Sequence, residues 1–426
     1  MNKKIMLLTA AFVLTIFLSA CSNNGTSEAN GKVTLTLFST MSNSGERKAF
    51  EEVIREFEKE HPHLRIDANF PGNSYEDTIR VKMGANDMPD LFDTHGWAKL
   101  RYSEYVADLK EMNWVKQLDP SLDQILKDQD GKVYAYPLNQ AKDGLSFNAN
   151  LLKDYDIEVP RTLDEFQSAL LTVKEKSKGE VVPLWIPGGD NSNIAQVFDE
   201  LATPLLITDP KHQYGKELEN GSFDWSHYTP LAQFMKELKD QDLLNKDVLT
   251  AKLSQAPELM AQNKIAFTFV GGSLGPEASE LNQSIKVGTI PVPAIHEGDE
   301  QSWIGGERFT VAAWKDSKHL KEAKQFIDFL AKPENAEKIA EGTSSEAALT
   351  HVKAKNYYST FYDQYEQVKI EPYFDRKYLP SGMWAVMATT GQELLAGSIT
   401  PEQLSKKMEE EYKRLKNNSR PMLKQE

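Results

Sequence analysis

Hydrophobic and polar positions follow two rhythms near the start of this chain, and the two rhythms predict different elements. Residues 33–37 and 64–70 alternate between apolar and polar side chains, which is typical of half-buried strands. Between them, residues 46–61 place apolar side chains three and four positions apart, as on one face of a helix. A strand, a helix and a strand in that order predict a βαβ unit and therefore a largely parallel sheet.

Helical spacing recurs in most of the later intervals. Residues 75–85 predict a second helix, and residues 98–130 and 194–260 are predicted to be mostly helical, with Trp225 in an exposed turn. Two capping boxes mark further helix starts. They are Thr162 with Glu165 and, with a proline at the first helical position, Thr400 with Gln403.

Residues 132–136 and 144–148 are two β-like runs separated by a polar joint at residues 137–143. Because proline fixes φ and donates no backbone hydrogen bond, the first strand should stop at Pro137. An ordinary strand–loop–strand of another α/β protein would give the same pattern.

The order of short motifs around this joint resembles the bacterial extracellular sugar-binding proteins, the family of maltose-binding protein. In that family a Gly-Lys-x-Tyr-x-x-Pro strand, a Tyr/Phe-Asn-x-x-Leu/Phe run and a Pro-x-Thr-x-x-Glu segment follow one another. The matching positions here are Gly131, Lys132, Tyr134, Pro137, Phe147, Asn148, Leu151, Pro160, Thr162 and Glu165. Further matches at residues 88–92, 261–272 and 304–313, and a strong one at residues 383–403, extend the resemblance, patchily, over residues 31–415.

The resemblance implies an α/β fold of the periplasmic-binding-protein type. Two lobes, each a largely parallel sheet flanked by helices, would enclose a cleft and be joined by two or three crossing segments. The implied N-terminal lobe comprises residues 32–138 plus about 276–330, and the C-terminal lobe comprises residues 139–275 plus about 331–426.

The N-terminus has the pattern of a lipoprotein export signal. Residues 1–20 combine a basic start with an apolar run and small residues, and Leu18-Ser19-Ala20-Cys21 matches the bacterial lipobox. Lipid on Cys21 would hold the protein to a membrane surface without a spanning helix. Cleavage that leaves Cys21 unmodified is the alternative. The polar residues 21–31 are expected to form a flexible tether.

Composition excludes several function classes. A net charge of −14 argues against nucleic acid and against a polybasic membrane patch. After residue 20 no apolar run approaches the roughly 18–20 residues that span a bilayer. The single cysteine allows no internal disulfide. We find no P-loop, dinucleotide fingerprint or metal-ligand spacing, so neither a cofactor nor a metal is predicted.

The loop after the first strand is the first candidate ligand site, with Ser39, Ser42, Asn43 and Glu46. Ligands of parallel sheets gather at the carboxyl ends of strands, where hydroxyls and helix N-terminal amides could meet sugar hydroxyls. Simple helix capping by Ser42 or Ser44 is the alternative.

Asp93, His95 and Trp97 follow the next strand and form the second candidate group. A carboxylate accepts from sugar hydroxyls, and an indole stacks on the apolar face of a pyranose. A helix-start aspartate and a core tryptophan would explain the same residues.

Further candidates lie at the crossings and in the second lobe. Trp185 and Asp190 flank a glycine-rich loop, although Trp185 could equally be a core residue. In the family an aromatic side chain near the C-terminus stacks on sugar; Trp384 matches it, with Asp375 just upstream. The resemblance also implies site positions at Asn139, Gln140, Gly272, Trp303, Glu307 and Arg308.

Two enzyme interpretations compete with a binding protein. Residues 271–275 fit Gly-x-Ser-x-Gly, so Ser273 could be the nucleophile of a hydrolase, although Pro276 disturbs the helix that should follow. A glycosidase would need two carboxylates about 5–10 Å apart, for which Asp93, Glu307 and Asp375 are candidates. The export signal and the joint between lobes favour a binder without catalytic residues.

The resemblance finally implies a role. It implies a monomeric, lipid-anchored substrate-binding component of an ABC sugar importer on the outer face of the cell membrane. It would close its lobes on an oligosaccharide and serve two permease subunits and, through them, an ATPase. Binding components of multiple-sugar and α-galactoside importers look most similar, which favours raffinose or melibiose-type ligands; pectin-derived and arabino-oligosaccharides stay open.

Overall fold

The computed structural model describes residues 32–42, 44–190 and 192–419. Cys21 and Asn43 therefore lie outside the described residues. The strands are β1 (Val33–Phe38), β2 (Leu64–Asn69), β3 (Leu91–Phe92), β4 (Tyr136–Pro137), β5 (Gln140–Asp143), β6 (Leu145–Asn148), β7 (Val182–Leu184), β8 (Ile265–Thr268), β9 (Val287–Ile290), β10 (Trp303–Glu307), β11 (Thr310–Ala313) and β12 (Ile370–Pro372).

Helices fill most of the intervals between the strands. They are α1 (Ser44–Glu60), α2 (Tyr75–Ala85), α3 (Asp123–Leu126), α4 (Ala149–Asp154), α5 (Leu163–Ser177), α6 (Ser192–Thr203), α7 (Gly215–Asn220), α8 (Thr229–Asp240), α9 (Ala256–Ala261), α10 (Leu274–Leu281), α11 (Leu320–Leu330), α12 (Pro333–Gly342), α13 (Ser359–Gln364), α14 (Phe374–Tyr378), α15 (Met383–Leu395) and α16 (Pro401–Ser419). Among the described residues no helix is both long and apolar enough to cross a membrane.

The first lobe is built on a five-stranded sheet with the order β2-β1-β3-β11-β4. β1 pairs in parallel with β2 and β3, whereas β11 runs antiparallel to both of its neighbours. The apolar face predicted for α1 packs against α11, with the rings of Phe57 and Phe326 4.9 Å apart. The βαβ prediction is thus confirmed, and one strand that returns from the other lobe is reversed.

The second lobe repeats this arrangement in a four-stranded sheet with the order β7-β8-β6-β9. β7 and β8 are parallel, and β6, which arrives from the first lobe, is antiparallel to β8 and β9. Phe166 of α5 packs edge-on against Phe267 of β8 at 5.5 Å. Each sheet therefore contains a reversed strand at the point where the chain enters from the opposite lobe.

A third, three-stranded sheet, β12-β10-β5, joins the lobes. β5 and β10 are antiparallel, with Ile304 opposite Asp143 and Glu307 opposite Gln140. A Cβ on Gly305 would collide with the Ala141 carbonyl, so the close approach of these strands requires glycine. The chain crosses between the lobes at β5 and β10 and a third time between α12 of the first lobe and α13 of the second, which is the upper number that the resemblance implied.

The sheets divide the chain differently from the expected lobe boundaries. Residues 276–303 were assigned to the first lobe, but β9 pairs with β6, and Ala278 and Val287 lie in a core of the second lobe. Conversely, α12 was assigned to the second lobe but packs on α1. Strand pairing for the first segment and helix packing for the second, neither of which the sequence pattern revealed, place each segment in the lobe opposite to the predicted one.

The helical prediction for residues 98–130 is wrong. The segment is mostly turns, because aspartate side chains bind the backbone amides two residues later and compete with helical hydrogen bonds. The side chains of Asp108, Asp119 and Asp128 accept from the amides of Lys110, Ser121 and Asp130 at 2.9–3.0 Å.

Trp225 is also corrected, because it is buried rather than exposed. It lies 5.4 Å from the ring of Tyr412 on α16. The capping box at α5 is confirmed: Thr162 Oγ1 accepts from the Glu165 amide at 3.2 Å, and the Glu165 carboxylate accepts from the Thr162 amide at 3.3 Å. Thr400 and Gln403 make the equivalent pair at α16.

Candidate ligand-binding site

Two fully buried carboxylates lie where the crossing strands lead into the lobes. Glu307 ends β10, and Asp375 is the second residue of α14. Neither oxygen of either carboxylate accepts a hydrogen bond of normal geometry within the described part of the chain. Because a buried carboxylate without a donor is costly, this pair is suited to accept hydrogen bonds from a ligand.

Burial dominates the electrostatics of both groups. It raises the pKa of Glu307 to about 7 against the opposing effect of Arg376. It also raises the pKa of Asp375 well above its usual range, to which Asp199 adds. Arg376, Arg101 and, more weakly, the amide of Trp384 oppose that rise. The charge of Arg376 therefore opposes the rise of both pKa values.

α6 brings two more acids to the same region, and the sequence reasoning missed both. The Asp199 carboxylate accepts from the amides of Phe374 and Asp375 at 3.1 and 2.7 Å and so fixes the start of α14. Burial raises its pKa to about 7. Glu200 is fully buried, one of its oxygens has no partner among the described residues, and burial raises its pKa.

Arg308, at the bend between β10 and β11, forms an ion pair with Asp143. Its Nη1 donates to the Asp143 carboxylate at 3.3 Å, and the Tyr373 hydroxyl donates to the other oxygen of Asp143. A Cβ on Gly272 would lie 2.9 Å from Arg308 Nη2, so glycine gives the guanidinium room. Although burial opposes the rise, Asp143 and, to a smaller extent, Glu46 raise the pKa of Arg308. The predicted residues Gly272, Arg308 and Glu46 are thus brought together.

Asp93 is buried but its acceptors are already used by the protein. It accepts from the Thr310 amide at 3.1 Å, from the Thr310 hydroxyl at 2.9 Å, from the His95 amide at 2.8 Å and from the Thr40 hydroxyl. These bonds tie the end of β3 to the start of β11. The geometry gives Asp93 a structural part rather than a ligand contact.

His95 and Trp97 belong to a network around Arg101. His95 Nδ1 lies 2.8 Å from Glu76, and Glu76 also accepts from Arg101 Nη1. Although burial opposes it, these partners lower the pKa of Glu76 to about 2. The Arg101 guanidinium covers the Trp97 ring at 4.7 Å. That face of Trp97 is therefore occupied by Arg101 and not open for a sugar.

Two arginines connect the lobes across this region. Arg101 of the first lobe donates through Nη2 to Ser381 Oγ of the second lobe at 3.2 Å. Arg376 of α14 stacks on Tyr373 at 4.1 Å and donates to the Glu307 carbonyl at 3.3 Å. Its aliphatic stem passes over Gly96, where a Cβ would collide with it. The lobes are thus in direct contact in this structure.

The other predicted residues near the crossings are engaged locally. Asn139 donates to Thr343 Oγ1 at 2.8 Å and accepts from the Phe309 amide at 3.2 Å. Gln140 donates to Ser121 Oγ at 2.6 Å. Ser39 is buried, with its Oγ 3.3 Å from the Met41 amide, and Ser42 is exposed. Gln140 lies opposite Glu307 in the β5–β10 ladder, whereas no described bond joins Ser39, Ser42 or Asn139 to Glu307 or Asp375.

The tryptophans fall into different environments. Trp303 is fully buried in a core of the second lobe, 5.5 Å from the Tyr362 ring. Trp185 is buried in the same core cluster and borders a small pocket at the ends of β7 and β8. The Asp190 carboxylate accepts a hydrogen bond from the Leu253 amide at 2.6 Å and so connects two surface loops. Trp384 is half-buried at the start of α15, near Asp375.

Sequence reasoning overlooked the charged residues that organise the site. Arg101, Asp143, Asp199, Glu200 and Arg376 match no motif. Ser381, Arg308 and Asp375, the partners of Arg101, Asp143 and Asp199, lie far from them in sequence. One usable signal was Arg376 beside the predicted Asp375, because a buried acid usually has a basic neighbour.

The geometry of the described residues gives little support for a metal site or for a catalytic serine. Asp209, His296 and Asp299 place one ligand atom each within 4.8 Å of one another. Asp209, however, already accepts from the Lys211 amide at 2.8 Å and meets His212 Nδ1 at 2.6 Å. Ser273 directly precedes α10 with an ordinary φ of −75° and lacks the strained turn of a nucleophile elbow.

Three comparisons bear on this arrangement. A family model described as bacterial extracellular solute-binding protein matches residues 42–337. The melibiose/raffinose/stachyose-binding protein MelE of Bacillus subtilis (strain 168) is 54% identical over 407 residues, which cover 96% of each chain.

Two solved structures are also similar. A binding protein of Bacillus subtilis in an open conformation has a TM-score of 0.85 and 56% identity, with 92% of this chain and 99% of that chain covered. A sugar transporter protein of Bacillus licheniformis in complex with stachyose has a TM-score of 0.83 and 61% identity, with 90% and 100% covered.

Proposed function

This chain belongs to the bacterial extracellular solute-binding proteins, and from that premise we propose that it is the substrate-binding component of an ABC importer for α-galactosides. The family binds solutes and is not a family of enzymes. The relative that shares 54% of its residues is named for melibiose, raffinose and stachyose, and a structure with 61% identity holds stachyose. We therefore assign the ligand to this group of oligosaccharides.

The observation that carries the proposal is the pair of buried carboxylates Glu307 and Asp375, which accept no hydrogen bond of normal geometry from the described residues. A carboxylate accepts up to about four hydrogen bonds, and sugar hydroxyls are donors of matching chemistry. Arg308 and Arg376 beside them can donate to ring and hydroxyl oxygens. Trp384, half-buried beside Asp375, offers an apolar face to a pyranose.

Closure of the lobes would report that the site is occupied. Contacts such as Arg101 to Ser381 join residues of opposite lobes and exist only when the lobes meet. A ligand that contacts both lobes favours the closed form by its differential affinity. In this proposal the closed monomer delivers the sugar to two permease subunits coupled to an ATPase.

We further propose that lipid on Cys21 anchors the protein to the outer face of the cell membrane. The lipobox at residues 18–21 and the polar residues 21–31 support this placement. Cys21→Ser should move the protein from the membrane fraction to the medium. If the variant stays in the membrane fraction, the lipid anchor is not at Cys21.

The deciding experiment is thermal unfolding of residues 22–426 with a panel of sugars, followed by calorimetric titration. Removal of residues 1–21 leaves every described residue in place. Ligand that binds the folded form raises the melting temperature by mass action. Melibiose, raffinose or stachyose should raise it and be recovered intact. A shift with oligogalacturonides or arabino-oligosaccharides alone would overturn the ligand assignment, and consumption of the sugar would overturn the binder.

A further inference from the structure

The helix that carries Asp375 and Arg376 into the site depends on other elements for its stability. α14 has five residues, far fewer than the roughly 12–15 that an isolated helix needs in water. Its N-cap residue is Tyr373, whose side chain makes no capping bond and whose hydroxyl donates to the Asp143 carboxylate instead. The first amides of α14 therefore need an acceptor from elsewhere in the fold.

Asp199 of α6 provides that acceptor. Its Oδ2 lies 3.1 Å from the Phe374 amide and its Oδ1 lies 2.7 Å from the Asp375 amide, although 175 and 176 residues separate them in sequence. Asp199 is fully buried, and both of its oxygens are used in this way. Glu307 and Asp375 differ, because their oxygens accept no hydrogen bond of normal geometry from the described residues. Asp199 thus lies behind the groups that can contact a ligand.

The residues next to this cap reach three separate parts of the site. The Tyr373 hydroxyl binds the carboxylate that also binds Arg308. Asp375 presents a buried carboxylate. Arg376 donates to the Glu307 carbonyl at 3.3 Å. Because these residues are consecutive in α14 or at its N-cap, a shift of the helix would displace all three side chains together.

We infer that Asp199 is a positioning residue of the ligand site, which acts on the ligand through α14 and the side chains of Asp375 and Arg376. The inference rests on the proposed function and adds to it a residue that affects affinity without touching the sugar. Groups that contact a ligand must be held within about 0.5 Å of the productive position, so a small movement of α14 is sufficient. At metal sites, the loss of a comparable supporting bond costs about 10–100-fold in affinity.

Two substitutions at Asp199 remove the cap in steps. Asp199→Asn keeps one acceptor oxygen for one amide but turns an NH₂ donor toward the other, whereas Asp199→Ala removes both acceptors. The protein from residue 22 onward is titrated with raffinose in a calorimeter, well below the melting temperature of each variant, so that only folded protein is compared. We expect Kd to be about tenfold weaker for Asp199→Asn and about 100-fold weaker for Asp199→Ala.

A matched control separates positioning from stability. Leu201 lies two residues after Asp199, so it does not share a face of α6 with it, and it is buried in the core of the second lobe. Leu201→Ala should lower the melting temperature at least as much as Asp199→Asn does, because it leaves a cavity. Its Kd should equal that of the natural chain, because the cap of α14 stays in place.

Double variants show whether the effect of Asp199 passes through α14. Asp199→Asn is combined with Asp375→Asn and, separately, with Arg376→Gln. Changes that act on the same contact are not additive, whereas changes at independent sites are. In at least one of the two backgrounds, Asp199→Asn should therefore weaken Kd by less than about threefold instead of about tenfold.

Three results would overturn the inference. Equal Kd values for the natural chain and every folded Asp199 variant would make Asp199 a residue of stability only. A Kd for Leu201→Ala as weak as that for Asp199→Asn would assign the loss to lower stability. Additive losses in both double variants would exclude α14 as the route.

The proposed function is tested separately by the natural chain. If it fails to bind raffinose, the proposed ligand class is refuted, and the same variants are compared with the sugar that the thermal panel identifies. If Asp199→Ala does not fold, the comparison of Asp199→Asn with Leu201→Ala decides.

Discussion

Ser381→Ala tests whether the bond between the lobes at Arg101 stabilises the ligand-bound form. Arg101 Nη2 donates to Ser381 Oγ over 3.2 Å, whereas Nη1 binds Glu76 within the first lobe. Ser381 lies just before α15 in the second lobe. The substitution therefore removes the interlobe bond and leaves the Arg101–Glu76 pair intact.

The structure sets the size of the expected effect. A hydrogen bond to a charged group contributes about 1.5–3 kcal/mol when it is well shielded. The Arg101 side chain keeps 19% of its surface exposed, so part of this is lost to solvent. We take about 1 kcal/mol for the bond, which corresponds to about a fivefold change in Kd.

Calorimetric titration with raffinose should show that Kd of Ser381→Ala is about five times weaker. The free energy of unfolding without ligand should change by less than about 0.5 kcal/mol, as for other surface substitutions. Ser398→Ala, in the exposed turn after α15, is the matched control and should leave Kd unchanged. If Ser381→Ala and Ser398→Ala bind raffinose equally, the bond does not stabilise the closed lobes and the reasoning fails.

Three further predictions concern the same region. Gly96→Ala should weaken raffinose binding at least tenfold in titration, because the new Cβ would collide with the Arg376 side chain and the backbone φ of +81° disfavours alanine. Gly84→Ala is the control and should bind raffinose normally, because nothing lies within 4 Å of the added Cβ. Trp384→Ala should weaken binding by about 1–3 kcal/mol without lowering the melting temperature in proportion, and unchanged affinity would remove it from the site. Without ligand, the melting temperature should fall as pH rises from about 4.5 through 7, because burial raises the pKa of Glu307 to about 7 and the folded form then binds the proton more tightly than the unfolded chain. Glu307→Gln should flatten that slope, and an unaltered slope would assign it to other groups.

Local signals predicted the elements that depend on neighbouring residues. The boundaries of α2 agree with the prediction, and the capping boxes at α5 and α16 are present, because a cap needs only residues three positions apart. The helical prediction for residues 98–130 was wrong because of another local signal. Its spaced aspartates form side-chain turns, a local signal that the apolar spacing concealed.

Long-range contacts explain what the sequence could not provide for the site. Motif order pointed to Glu307, Arg308 and Asp375, which lie next to recognisable crossing segments. Asp199 lies on α6, a helix for which no site residue was predicted. It is part of the site because its carboxylate accepts hydrogen bonds from the first two amides of α14. No pattern within α6 distinguishes such an acid from a solvated one.

The tryptophans also show that local sequence cannot decide whether a residue binds ligand or packs in a core. Trp303 and Trp185 were candidates because an indole near a strand end can stack on sugar, but the structure packs both into a core. An indole is equally suited to either place. Only the neighbouring elements, here α13 against Trp303, decide between them.

The position of β11 inside the first sheet has a consequence for the order of folding. β11 lies between β3 and β4 and pairs Thr310 with Pro137 and Ala313 with Leu91, partners far apart in sequence. The first sheet therefore cannot be completed until the chain has been synthesised through Ala313. Contacts of such high order slow folding. Because the first sheet forms late, most of the chain is synthesised before this lobe can fold. An unfolded chain can pass through a narrow translocation channel, which suits the export proposed for this protein.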